Sequence, residues 1–173
     1  MSDETDYLAE GRQIFAEEST ELLEQSESIL LKLEDEPGSD ELINDLFRAI
    51  HTIKGSAGIF GFDDVVSFTH VAESVMGRLR DKEISLDENL GSLLLDSRDQ
   101  ISKLVTHVLG NAEEPIADSL RKSGDELLKQ LQLYLDGDAP ESSVAVGNET
   151  DDIAASSSGS EAVSNDYWHI SVR

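Results

Sequence analysis

Along the first 137 positions the apolar residues recur at helical spacing, and almost nowhere do they alternate as in a strand. Leu8, Phe15, Leu22 and Ile29 stand seven apart with Ile14, Leu30 and Leu33 beside them, which predicts one long amphipathic helix. Glu36-Pro37-Gly38-Ser39 breaks it, and Ser39 or Asp40 can cap a second helix that buries Leu42, Ile43, Leu46, Ile50, Ile53 and Ala57. Gly58 to Gly61 predicts a turn. A third helix starting at Asp63 or Asp64 places Val65, Phe68, Ala72, Val75, Met76 and Leu79 inside. Ser85-Leu86-Asp87 opens a fourth, lined by Leu90, Leu93, Leu94, Ile101, Leu104, Val105 and Val108. Glu113-Glu114-Pro115 reads as the first turn of a fifth, holding Ile116, Leu120, Leu127, Leu131 and Tyr134. Apolar stripes joined by short connections imply antiparallel neighbours. The expected fold is all-α: an up-and-down four-helix bundle from about residue 5 to 110, with a fifth helix packed on it.

Beyond Asp138 the pattern lapses. Residues 138–166 are Ser, Ala, Gly, Glu and Asp with scattered valines, and Ala154 to Ser160 cannot bury enough apolar surface to offset its ordering entropy. The expected organisation is a domain over 1–137, a flexible acidic linker over 138–166, and a changed character over 167–173. There Tyr167-Trp168-His169-Ile170-Ser171-Val172 alternates like the first strand of a following domain, cut short.

Charge narrows the partners. The chain carries 37 acidic and 13 basic side chains, a formal net charge of −24. Residues 138–173 hold seven acids and one base, a net of −6, so 1–137 carry the remaining −18. A surface that acidic repels phosphate backbones and anionic lipid, which argues against nucleic acid and membrane surfaces. No cysteine is present, which excludes disulfides and thiolate metal sites. The first ten residues are acidic and lack the apolar segment of a secretory signal, and no apolar run approaches the ~20 residues that span a bilayer. A cytoplasmic location is the expectation.

The chemistry concentrates in Arg48-Ala49-Ile50-His51-Thr52-Ile53-Lys54-Gly55-Ser56. Ile50 and Ile53 face the core, and at ~100° per residue His51 points well away from them. Asn44, Arg48, His51, Lys54 and Gly55 therefore share an outward face. An exposed histidine in mid-helix contributes nothing to packing. Lys54, one turn on, can bring its ammonium over the imidazole. Gly55 costs ~1 kcal/mol in a helix relative to Ala but leaves open space beside His51, and Arg48 lies on the same approach. This combination suits a nucleophilic imidazole that another protein must reach, with a cation at hand for phosphoryl oxygens. On the third helix His70 and Glu73 share a face that Gly77 completes. If the second and third helices pack antiparallel, a Glu73 carboxylate accepting from Nδ1–H of His51 would leave the lone pair on Nε2.

The segment from His51 through Gly55 to Ala57-Gly58-Ile59-Phe60-Gly61-Phe62 closely resembles the phosphorylation motif in the N-terminal histidine phosphotransfer domain of the chemotaxis kinase CheA. His-x-x-Lys-Gly is shared by histidine phosphotransfer domains generally, and Ala-Gly-x-Phe-Gly-Phe is similar to the CheA branch. The resemblance covers residues 5 to 137 in helix layout and is specific from Leu46 to Glu73. It implies that His51 is phosphorylated, that Glu73 orients it, and that Lys54 and His70 stabilise phosphoryl oxygens. It also implies a CheA-type kinase domain as donor, reached across a dimer, and response regulators of the CheY and CheB type as acceptors. ATP and magnesium would be bound by that separate kinase domain, so no cofactor and no metal is expected in this fragment, which would be monomeric and no kinase by itself.

Two other classes remain to be weighed. A carboxylate-bridged metal enzyme in a four-helix bundle needs Glu-x-x-His pairs. Arg48, Ser67, Leu104 and Asp166 precede the four histidines by three, so no such pair exists. A non-catalytic helical adaptor explains the bundle but leaves His51, Lys54 and Gly55 without a purpose. His107 is read as a cation near a helix C-terminus, and Asp63-Asp64 as capping residues.

Overall fold

The computed structural model describes residues 2–111 and 113–138. Apart from Asp138, the expected linker over 138–166 and the strand-like end over 167–173 lie outside the described residues. Among the described residues all regular structure is helical: α1 (Ser2–Asp35), α2 (Asp40–Ile59), α3 (Asp63–Arg80), α4 (Glu88–Asn111) and α5 (Asp118–Asp136). Helices α1 to α4 pack in a ring, each against its neighbours, and α5 lies on α3 and α4. This is the antiparallel four-helix bundle with an added helix.

The boundaries follow from local chemistry. Ser39 caps α2, its Oγ accepting from the Leu42 N–H at 3.4 Å, and Asp87 Oδ1 accepts from the Leu90 N–H at 2.8 Å ahead of α4. The α2–α3 turn is tighter than the glycine spacing suggests. Helix α2 runs through Gly58 to Ile59, and Gly61 takes the left-handed conformation at φ +69° that reverses the chain. Phe62, not Asp63 or Asp64, occupies the cap position of α3. The two aspartates sit in the first turn, where negative charge meets the positive end of the helix dipole. The fifth helix also begins later than expected. Glu113, Glu114 and Pro115 lie in the connection, while Ile116 plugs the core ahead of a start at Asp118.

One core comprises Phe15, Leu23, Leu30 and Leu33 of α1, with the expected faces of α2, α3 and α4 and with Leu131 and Tyr134 of α5. Leu42, Leu120 and Leu127 are only partly buried at its edge. The start of α1 departs from the expected pattern. With 34 residues α1 is about 50 Å long, whereas the 20 of α2 span about 30 Å. The first turns of α1 therefore overshoot the turn between α2 and α3. Gly11 packs closely on the Phe60 ring, and beyond it Leu8 is 53% exposed although it continues the core stripe. Ile14 is exposed on the flank, and Leu22 is half-buried.

Polar staples fix the helices to one another. Arg98 of α4 donates through Nε to the Leu23 carbonyl at 3.0 Å and pairs with Glu27 on α1. Gln100 donates to the Leu120 carbonyl at 2.8 Å and accepts from Ser123 Oγ at 2.9 Å, beside Gly124, where a side chain would collide with its amide. Arg78 of α3 donates from Nη1 to the carbonyls of Tyr134 and Leu135, two of the acceptors that the last turn of α5 leaves without helical partners. Removing Arg78 should therefore loosen α5. Arg78→Ala is expected to lower stability by about 1–2 kcal/mol and to speed amide exchange in Asp118–Asp136. Urea titration with hydrogen exchange would check this, and unchanged protection of α5 would contradict it.

Candidate functional site

Helix α2 buries Ile50 and Ile53 completely and turns its far side outward. His51 stands on that face with 60% of its side chain exposed. Antiparallel packing through the turn at Phe60–Phe62 brings α3 alongside. His51 and Glu73 each stand eleven positions from Phe62, and the hairpin closes them face to face. Nδ1 of His51 lies 2.7 Å from Oε1 of Glu73. The Lys54 ammonium, one turn along α2, lies 2.5 Å from the other oxygen, Oε2.

Glu73 is less exposed than its place beside His70 suggests. Only 9% of the residue is accessible. Burial pushes its carboxyl upward, but the contacts with Lys54 and His51 outweigh that and hold it below the ordinary value of 4.5. The group is therefore an anion at neutral pH. An anion facing Nδ1 favours a proton there, which leaves the in-plane lone pair on Nε2.

The other expected residues occupy distinct places. Gly55 is exposed, with nothing within 4 Å of where a Cβ would lie, and Gly58 further along α2 is equally open. Arg48 is exposed one turn before His51 and forms no ion pair among the described residues. His70 is exposed on α3, one turn before Glu73, and its ring makes no hydrogen bond among the described residues. The geometry thus joins His51, Glu73 and Lys54 directly, with Arg48, Gly55 and His70 at the margin. His107 Nε2 meets the Glu114 carbonyl at 3.0 Å, outside this group. Among the described residues no three His, Asp or Glu side chains gather as a metal site.

Sequence reasoning passed over Phe47. Its ring stacks on the His51 imidazole, with centroids 5.9 Å apart and planes 12° from parallel. The i, i+4 spacing on one helix was the signal that could have revealed it.

With this arrangement in view, comparisons with known proteins place it. The family model described as "Hpt domain" matches residues 10–110. The chain belongs to the Hpt domain family, in its CheA-type branch. It is 34% identical over 134 residues to the chemotaxis protein CheA of Rhizobium meliloti, covering 78% of this chain and 17% of that protein. The CheA phosphotransferase domain from Thermotoga maritima superposes with a TM-score of 0.56 at 34% identity, covering 58% of this chain and 96% of that one. The phosphorylated P1 domain of CheA3 in complex with CheY6 from R. sphaeroides gives a TM-score of 0.64 at 23% identity, over 72% of this chain and 97% of that one, and shares the fold. The chain is a phosphotransfer module and spans about a sixth of the length of the full CheA protein it matches.

The lowered Glu73 carboxyl carries a consequence for pH. A depressed value means that the carboxylate stabilises the folded state above about pH 4.5, and that this contribution fades as pH falls through the lower folded value. The stability difference between wild type and Glu73→Gln should still be present at about pH 5. It should shrink in more acidic solution as the wild-type carboxylate takes up its proton. Urea titrations of both proteins across that range would check it, and a difference independent of pH would contradict it.

Proposed function

We propose that His51 is the phosphoryl acceptor of this module, receiving the γ-phosphoryl group of ATP and passing it to an aspartate of a response regulator. The observation that carries the reading is the exposed imidazole whose Nδ1 faces the buried Glu73 anion, an arrangement that favours the lone pair on Nε2. In the first transfer the Nε2 lone pair attacks the γ-phosphorus, the bond to the β-phosphate oxygen breaks, and ADP leaves. The imidazole keeps its Nδ1 proton and becomes cationic while phosphorylated, a charge that Glu73 offsets. In the second, an aspartate oxygen attacks phosphorus, the P–Nε2 bond breaks, and neutral His51 is restored. Lys54 would turn from Glu73 toward the phosphoryl oxygens, with His70 assisting. Gly55 and Arg48 would form the open approach for the partner.

The donor, by this reading, is the kinase domain of a CheA-type parent in the cytoplasm, and the acceptors are regulators of the CheY and CheB type. ATP and magnesium would be held by that kinase domain. A groove of about 460 Å³ between the end of α1 and the start of α4 is edged by Glu34, Asp87 and Glu88, an unfavourable lining for a polyanion, and includes no residue of the His51 group.

Radiolabelled ATP tests the assignment. With a CheA kinase domain added in catalytic amount, the wild-type chain should become labelled, with the acid lability and alkali stability of phosphohistidine. His51→Gln should remain unlabelled, and Glu73→Gln should label more slowly, because the imidazole loses the anion that favours its reactive tautomer. Label persisting in His51→Gln would refute the acceptor. Stoichiometric labelling of the chain without kinase would show that it holds a nucleotide site of its own.

A further inference from the structure

The Glu73 carboxylate holds one edge of the His51 imidazole, but a single hydrogen bond leaves a ring free to swing about it. The ring face has a second contact, the near-parallel phenyl group of Phe47, one turn earlier on α2. Phe47 is itself seated from α3. Gly77 lies against it, at a spacing where a Cβ would stand in ordinary van der Waals contact, 3.6 Å from Cε2 of the phenyl ring. Arg80, three residues on, places its guanidinium carbon 4.1 Å from the ring centroid. That is within reach of a cation–π attraction. The pairs His51–Glu73 and Phe47–Gly77 are both centred on Phe62, so the same hairpin register delivers both contacts.

We propose that Phe47, seated by Gly77 and Arg80, is a positioning residue that fixes the plane of the His51 ring and so the direction of Nε2. It touches the imidazole and not the transferred group. Helix α3 then reaches His51 twice, at its edge through Glu73 and at its face through Phe47. Loss of the Arg80 guanidinium would remove the cation that holds the phenyl ring from outside. The inference rests on His51 being the acceptor, yet part of its test does not involve phosphorylation.

The substitutions Phe47→Leu, Phe47→Tyr and Arg80→Gln are made in the full chain. Side-chain NMR relaxation and coupling constants of His51 report ring mobility, and labelling by an added CheA kinase domain gives kcat and KM for the chain as substrate. Phe47→Leu keeps an apolar group of similar bulk, so it should raise the mobility of the His51 ring and lower kcat by about three- to tenfold, the rate equivalent of one aromatic contact. KM should stay constant, because the surface offered to the kinase is little changed. Phe47→Tyr should restore both quantities, and Arg80→Gln should move them in the same direction as Phe47→Leu by a smaller factor. An unchanged His51 ring in Phe47→Leu would overturn the proposal, as would a defect that Phe47→Tyr fails to restore. Should Phe47→Leu not fold, Arg80→Gln decides alone, because Arg80 is a surface residue, and wild-type behaviour there would overturn the proposed seat. If the wild-type chain is not labelled at all, the acceptor assignment falls, while the relaxation data still decide whether Phe47 positions the ring.

Discussion

A carboxylate with 9% of its surface accessible must be paired, and Glu73 is paired twice, with one oxygen on Nδ1 of His51 and the other on Lys54. Both partners lie on α2, one turn apart, while Glu73 projects from α3. The contact therefore depends on the angular positions of three residues and on the register of two helices. An anion in that position favours the proton on Nδ1 and the lone pair on Nε2. Much of the remaining structure serves to make that register unambiguous.

The register begins at the turn. Phe62 lies midway between His51 and Glu73, and Gly61 in the left-handed conformation makes the reversal short enough for the two helices to run side by side from there. Ile50 and Ile53 bind one side of α2 into the core, so His51 cannot rotate inward without exposing them. Helix α3 is held along its length by buried Val65, Phe68, Ala72, Val75, Met76 and Leu79, and near its end by Arg78, which ties it to the last carbonyls of α5. The fifth helix thus bears on the site indirectly. It touches neither α1 nor α2, but it covers the helix that carries Glu73, Gly77 and Arg80.

The sequence made the bundle legible because its apolar spacing and its turn residues agree, and agreement between levels is what specifies a fold. His51, Glu73 and their antiparallel contact were readable from outward angles and from the hairpin. What escaped it has physical causes. The overhang of α1 is a matter of relative helix length, which periodicity does not report, so Leu8 looked like core. Pro115 suggested a helix start, but burial of Ile116 prevailed and delayed the helix to Asp118. The burial of Glu73 was hidden because a charged residue beside an exposed histidine reads as surface until its two partners are seen. Phe47 belongs to none of the expected helix faces, and while its i, i+4 spacing from His51 allows a contact, the ring planes show that the two side chains stack.

The central claim is that Glu73 holds the proton on Nδ1 and leaves Nε2 as the nucleophile. Long-range proton–nitrogen NMR correlation on the chain labelled with ¹⁵N in histidine observes this directly, because protonated and unprotonated ring nitrogens resonate far apart. In the neutral form of His51, Nδ1 should carry the hydrogen and Nε2 should show the shift of a bare nitrogen, whereas Glu73→Gln should weaken that preference. A neutral His51 protonated mainly on Nε2, or a tautomer ratio indifferent to Glu73, would contradict it.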